Sequence, residues 1–393
     1  MLRKIWAIIK KLFTDWLKWT IGAFLAAIIA WLVAEYLTNW KNGDTSSKYI
    51  AEVMSGTDRT FTIPLEFKQG FGDRPSFTTS KGQMILIEKK EDLYSKEQAR
   101  IVADKLVSDP KCVLIIGNSN SELTEVTLNS ILSVDSKKRP AFILPIATAD
   151  NIISKAYSEK YYSILRMVPD NKNQASVIKR LIFSEISRKP KVAILVDEEN
   201  QTYSNNLSKN VAAEVIEEGG MVVLNKNYGN SSRLIDEYSE MKRNKIIPDV
   251  VVYVGVTSNG MLLIEEIMAL KINVPIIFTD GCTVKDLMTK ARSLPGRAYF
   301  LSAVSISELG SEPTYKPIGQ DAFSLATIIL NSIEGPITRE SVSEFIENNK
   351  GKIILDAGSA GAYAFSPEGN NKRMEFMSYT YRNGILKEVK GIR

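Results

Sequence analysis

The sequence predicts an α/β fold, two lobes of mostly parallel strands alternating with helices, carried behind an N-terminal transmembrane helix. Three observations predict it. Apolar runs such as Cys112-Val113-Leu114-Ile115-Ile116 and Ala141-Phe142-Ile143-Leu144-Pro145 are too short for helices and have the length of buried strands. Beyond Asp170, helical and strand periods alternate five times, the rhythm of a parallel sheet covered on both faces. Residues 19–37 are apolar except for Thr20 and Glu35, and those 19 residues span roughly 28 Å as a helix, about the thickness of a bilayer's hydrocarbon core.

In chain order, residues 1–18 form a basic lead. Lys4, Lys10, Lys11 and Lys18 gather on one side of a helical wheel and Ile5, Ile9, Leu12, Phe13 and Trp16 on the other, so the lead either lies flat on the inner leaflet or is the basic flank of an anchor. Residues 19–38 are the expected anchor. All five tryptophans fall within the first 40 residues, with Trp16, Trp19 and Trp40 near the ends of the apolar run, where interfacial anchors sit. The basic excess before the run keeps the amino terminus cytoplasmic and sends the body outward, periplasmic or extracellular. With no small-x-small cleavage site, the expectation is an uncleaved signal anchor, single-pass in the inner (cell) membrane.

Residues 39–47 are a polar linker, and the body begins at Lys48. Residues 61–67 and 83–88 read as strands, and residues 68–82, rich in Gly, Pro, Ser and Thr, read as a loop without a helix. An amphipathic helix over 95–108 leads to the two apolar strands at 112–116 and 141–145. Helices at 173–186, 205–218, 231–245, 259–270 and 284–294 then precede strands at 191–196, 221–224, 250–254, 274–278 and 299–304. Two helices, 320–333 and 339–348, follow without a strand between them, and MSYTYRNGILKEVK reads as a hairpin around Arg382-Asn383-Gly384.

Charge and composition exclude several chemistries. The first 40 residues carry five basic and two acidic side chains, more than half of the net +5, so the body is nearly neutral and no nucleic-acid partner is expected. The chain has no histidine, which removes Ser-His-Asp and Cys-His catalysis and the commonest zinc ligand. Cys112 and Cys282 form no metal pattern and are expected as buried free thiols. Since G-x-G-x-x-G and P-loop motifs are also missing, neither catalysis nor a metal nor a cofactor is expected.

Residues 111–154 concentrate the binding signal. Each of its two strands breaks into small polar residues that start a helix, Gly117-Asn118-Ser119-Asn120-Ser121 and Ala147-Thr148-Ala149-Asp150. If the strands are parallel neighbours, both turns sit at the carboxyl edge of one sheet, where helix N-termini offer N–H groups to an anion. Ser121 and Thr148 are the candidate contacts; capping alone also accounts for either residue.

The succession QARIVADKLVSD, CVLIIG, NSNSE, AFILPIATADN, SILRMVPDNKNQASVIKRLI and KVAILVDEENQTYSNNL, then PDVVVYVG, VPIIFTDG, GQDAFSLATIIL and GSAGAYAFSPEGNN, resembles the type I periplasmic binding fold. Within it, the sequence is most similar to the branched-chain (Leu/Ile/Val) amino-acid binding proteins of ABC transporters, over residues 81–390. The resemblance implies two Rossmann-like lobes, lobe I at 48–168 plus 305–350 and lobe II at 169–304 plus 351–393, closing on a ligand in the cleft. It implies that Ser121 holds a ligand carboxylate, that Ile146 and Thr148 hold carboxylate and ammonium, that Tyr203 covers the ligand, and that Asp280 pairs with the ammonium. The partners so implied are an amino acid or similar small zwitterion and an ABC permease or sensor. Where the family has its first helix, residues 68–82 read as loop. That departure supports a second reading, a binding fold without a pocket that serves as a membrane interaction protein.

Overall fold

The computed structural model describes residues 29–30, 47–54, 62–229, 234–305 and 315–389. The chain divides into two units, Met1–Ser47 and Lys48–Arg393. In the first, Ile29 and Ala30, both helical, and Ser47 are described; the rest of the expected lead, span and linker lies outside the described residues. Among the described residues no helix is long and apolar enough to cross a membrane.

Among the described residues the second unit holds two large sheets and one two-stranded ladder. The first contains β1 (Lys48–Met54), β2 (Ser76–Thr78), β3 (Met84–Glu91), β4 (Cys112–Gly117), β5 (Ala141–Leu144) and β6 (Ile164–Arg166), in the order β2-β3-β1-β4-β5-β6. All pairings are parallel except that of the edge strand β2. In the second, β7 (Lys191–Asp197), β8 (Met221–Tyr228), β9 (Val250–Val254), β10 (Ile276–Phe278) and β11 (Ala298–Ser302) run parallel, in the order β8-β7-β9-β10-β11. An antiparallel hairpin, β14 (Met377–Arg382) and β15 (Ile385–Glu388), extends the sheet beyond β11. Its turn residues Asn383 and Gly384 have φ of 54° and 75°, the left-handed pair that a two-residue hairpin turn requires. A short ladder, β12 (Ile354–Leu355) with β13 (Tyr363–Ala364), stands apart.

Helices cover both faces, which is why the central strands are apolar throughout: every residue of β4, β5 and β9 is buried. Those between the strands are α1 (Thr62–Phe71), α2 (Lys96–Ser108), α3 (Ser121–Leu132), α4 (Asp150–Ser158), α5 (Asn171–Glu185), α6 (Gln201–Glu217), α7 (Leu234–Arg243), α8 (Thr257–Leu270) and α9 (Lys285–Ala291). α10 (Lys316–Ser332) and α11 (Arg339–Asn349) return to the first sheet. α10 packs on α1, and the Arg339 guanidinium at the start of α11 donates to the Cys112 carbonyl of β4 at 2.7 Å. Cys112 and Cys282 are buried and free, as expected.

One stretch differs from the expectation. Residues 62–71 are helical, so the strand expected at 61–67 and the missing first helix are both corrected. Ile63, Leu65 and Phe67 alternate as a strand's residues do, but Pro64 sits in the first helical turn, where its absent N–H costs nothing. Phe67 and Phe71, four apart, stack at 6.0 Å on the buried face. The crossing with α10 is backbone to backbone: a Cβ on Gly70 would lie 1.8 Å from the Lys316 carbonyl oxygen, and one on Gly319 would lie 2.2 Å from that of Phe67. The first strand of the body is β1, whose Tyr49, Ala51 and Val53 enter one core cluster and Ile50 and Met54 another.

The chain passes between the sheets after β6, after β11 and after α11. The first and third passages are joined: Arg166 N–H donates to Gly369 O at 2.7 Å, Asn371 N–H to Arg166 O at 3.1 Å, and Asn371 Nδ2 to Met167 O at 2.7 Å. Buried Asp321 of α10 accepts from the Ser359 and Ala360 amides, at 2.6 and 2.8 Å, and from the Tyr363 hydroxyl at 2.9 Å.

Candidate functional site

Each sheet reverses its winding at an inner strand. From β1 the chain runs outward to β3 and then returns to β4 on the other side of β1; from β7 it runs to β8 and returns to β9. Crevices at the carboxyl ends of strands open at such reversals. A cavity of about 750 Å³ lies there, lined by turns of both sheets. Ser121 at the start of α3 and Ile146 and Thr148 after β5 line it from the first lobe, joined by Ile63 and Pro64 of α1 and by Tyr94 after β3. From the second come Glu199, Asn200 and Tyr203 after β7, residues 256–258 after β9, Asp280 after β10, and Lys285 and Asp286 at the start of α9. Tyr315, before α10, completes the wall.

All five residues singled out from the sequence therefore meet in one cavity. Their local geometry is more specific than expected. Asn120, not Ser121, caps α3: its side chain accepts from Leu123 N–H at 2.9 Å. Ser121 is thereby released, and its Oγ accepts from the amides of Thr148 and Ala149, both at 3.3 Å. With its acceptor side occupied, the Ser121 hydroxyl keeps its proton to donate. The same contacts correct the expectation that the Thr148 N–H is free for an anion.

Opposite, the Tyr203 hydroxyl donates to Asp280 Oδ1 at 2.6 Å and lies 3.0 Å from Gln174 Oε1 of α5. Both Tyr203 and Asp280 are buried. Tyr203 stands in the first turn of α6, two residues inside the helix, which fixes its ring against the wall. Burial raises the Asp280 pKa above the usual carboxylate value, against the pull of nearby Gln174, of the Tyr203 hydroxyl and of the Gly281 amide, which lower it. The Tyr203 phenol is pushed well up by burial and then by the neighbouring Asp280 charge.

Sequence reasoning missed Asp197, the last residue of β7, which organises the second wall. Its buried carboxylate accepts from Glu199 N–H at 2.9 Å, Asn259 Nδ2 at 2.7 Å, the Tyr253 hydroxyl at 2.7 Å and Val256 N–H at 2.8 Å. The turns after β7 and β9 are thus bound to one side chain. Ser258, from the second of those turns, donates a short hydrogen bond to Glu199, whose pKa burial nevertheless raises. An acidic residue closing an apolar strand was the available signal.

Tyr94 was also missed. It follows Leu93, and the two have φ of 54° and 51°, left-handed values rare for side-chain-bearing residues. Buried Asp92 holds this turn by accepting from Tyr94 N–H at 3.1 Å and from Asn118 Nδ2 at 2.9 Å, tying it to the turn before Ser121.

No family model and no curated protein matches the chain. Solved structures do. The leucine binding protein LivK from Thermotoga maritima is 16% identical, with a TM-score of 0.69 over 87% of this chain and 97% of its own. The branched-chain amino acid transporter substrate binding protein LivJ from Streptococcus pneumoniae, in complex with isoleucine, is 16% identical, with a TM-score of 0.66 over 88% and 99%. An ABC transporter solute binding protein from R. palustris, in complex with benzoate, is 13% identical, with a TM-score of 0.66 over 88% and 96%. Each is described as a binding protein, none as an enzyme. At these identities the likeness establishes the fold, that of the two-lobed type I periplasmic binding proteins.

Proposed function

We propose that this chain is an extracytoplasmic solute-binding protein that captures an amino acid or similar small zwitterion in the cleft between its lobes, for uptake through an ABC permease or for sensing. The observation that carries the reading is the cavity of about 750 Å³ whose walls oppose a hydroxyl donor, Ser121, to a buried carboxylate, Asp280. Ser121 donates to the ligand carboxylate, Ile146 and Thr148 line the same end, Asp280 accepts from the ammonium, and Tyr203 fixes Asp280 in place. The lobes are residues 48–168 with 305–350 and residues 169–304 with 351–393. No bond is made or broken.

Residues 19–38 anchor the protein in the cell membrane with the amino terminus cytoplasmic. The support is the sequence pattern of one apolar run with a basic flank and terminal tryptophans. The reading as a membrane interaction protein without a pocket rested on a missing first helix. α1 is present and lends Ile63 and Pro64 to the cavity, which favours binding.

Calorimetry of the full chain in detergent micelles, titrated with the twenty standard amino acids one at a time, tests the function. Saturable binding that Asp280→Ala weakens at least ~10-fold is the expected result. No binding across the set by a folded chain refutes it.

A further inference from the structure

Three helices that present cavity residues also meet one another just behind the cavity. α3 and α4 follow strands of the first sheet, and α6 follows a strand of the second. α3 begins at Ser121 and carries Glu125 one turn later; α4 begins at Asp150, two residues after Thr148. α6 carries Tyr203 and, beside it, Thr202, Asn206 and Asn210, spaced by four and so aligned along one face of the helix. This polar stripe is half-buried, α6 packs on α3, and each member of the stripe bonds across to the first lobe. The Thr202 hydroxyl donates to Glu125 Oε2 at 2.8 Å, Asp150 N–H donates to Asn206 Oδ1 at 3.1 Å, and Asn210 Nδ2 donates to Asp150 Oδ2 at 2.6 Å.

Each partner is also held from its own side. Lys155 of α4 lies 3.5 Å from Glu125. At the start of α5, Asn171 Nδ2 donates to Asn206 Oδ1 at 2.8 Å and Lys172 N–H to Asp150 Oδ1 at 3.4 Å. Glu125, Asp150, Thr202, Asn206 and Asn210 do not line the cavity, so the seam consists of protein groups alone. Its members stand within a turn of Ser121, Thr148 and Tyr203. Bringing the cavity walls together and forming the seam are therefore one movement.

We propose that the seam is an interlobe latch, in which Thr202, Asn206 and Asn210 act as positioning residues that set how far the lobes stay closed before any ligand contributes. Each bond across it is worth roughly 2- to 10-fold in the ratio of closed to open molecules. A ligand that bridges both walls gains apparent affinity as the closed population grows. That consequence rests on the proposed binding function; the latch itself does not.

Pulsed dipolar electron paramagnetic resonance on the full chain in detergent micelles, with no ligand added, tests the latch. Spin labels go on Ile101→Cys of α2 and Met268→Cys of α8, both exposed, whereas Cys112 and Cys282 are buried. The labelled chain should show chiefly the distance that the structure sets between these sites. Asn210→Asp turns a carboxylate against Asp150 and should lower the ratio of that population to a displaced one at least ~10-fold. Thr202→Val removes only the donor to Glu125 and should lower it about 2- to 5-fold. Combining Asp150→Asn with Asn210→Asp exchanges donor and acceptor and should restore the ratio to within about twofold, a rescue that general loss of structure does not give. The latch is overturned if the displaced population already dominates before these substitutions, if Asn210→Asp leaves the ratio unchanged, or if the exchange fails to restore it. Since no ligand takes part, each of those results leaves the binding function standing.

Discussion

Replacing Glu52 by glutamine isolates the effect of one buried charge on the stability of the first lobe. Glu52 lies in the middle of β1, fully buried, with neither carboxylate oxygen hydrogen-bonded. Burial pushes its pKa from 4.5 up to about 7, although Lys89 and Lys68 pull it partly back. Between those two values the unfolded chain has released the proton and the folded chain has kept it, so stability falls as pH rises from about 4.5 to about 7. At about 1.4 kcal/mol per pH unit, the full penalty above pH 7 is about 3 kcal/mol. Glutamine has the same shape and never ionises. Urea unfolding of the intact chain in micelles, followed by circular dichroism, should therefore show the two proteins alike near pH 4. The glutamine variant should be the more stable at pH 8 by about 2 to 3 kcal/mol. Other buried acids titrate in both proteins and cancel in the difference. Parallel stability curves across this range would refute the assignment of an ionisable, unpaired Glu52.

Other expectations follow from the site and its supports. Ser121→Ala removes both the acceptor for the Thr148 and Ala149 amides and the hydroxyl proposed to meet the ligand, and calorimetry should show affinity reduced by about 1 to 3 kcal/mol. Asp197→Asn sets an amide N–H₂ against donors it cannot satisfy, and urea unfolding should register a loss of about 2 to 3 kcal/mol together with weakened ligand binding. Gly70→Ala drives a methyl group into the Lys316 carbonyl and should lower stability by at least about 2 kcal/mol, seen as a reduced Tm. Because Asp280 has a raised pKa, it takes up a proton at a higher pH than an ordinary aspartate, and ammonium binding should weaken as pH falls through that range. Tyr203→Phe removes a hydrogen bond to the charged form and should move the onset of that weakening to still higher pH in a calorimetric pH series.

What the sequence disclosed follows from how each element is buried. The parallel strands were legible because burial on both faces makes β4, β5 and β9 continuous apolar runs, and the final hairpin because Asn383-Gly384 admits few other backbone paths. β1 was hidden by Glu52, a charge where the pattern calls for an apolar residue. α1 was hidden by Pro64 and by Ile63, Leu65 and Phe67, which fit period two as well as they fit a helix; what stabilises the helix is its contact with α10, some 250 residues away in the chain. The site was half legible. Ser121, Ile146, Thr148 and Asp280 follow strand ends, where ligands collect in this architecture. The Tyr203–Asp280 hydrogen bond and the arrival of Tyr94 and Tyr315 depend on contacts between distant segments and leave no local trace.

The bonds joining residues 166–167 to residues 369–371 bear on how the cleft opens. Three independent straps would let one lobe twist, slide and tilt against the other. Two of them share backbone hydrogen bonds and the Asn371 side chain and so form a single ribbon, which in a hinged protein would restrict the lobes to fewer motions. Under the proposed binding function, closure about one axis would bring the Ser121 and Asp280 walls together along one arc, and the cleft would then select its ligand by length as well as by charge.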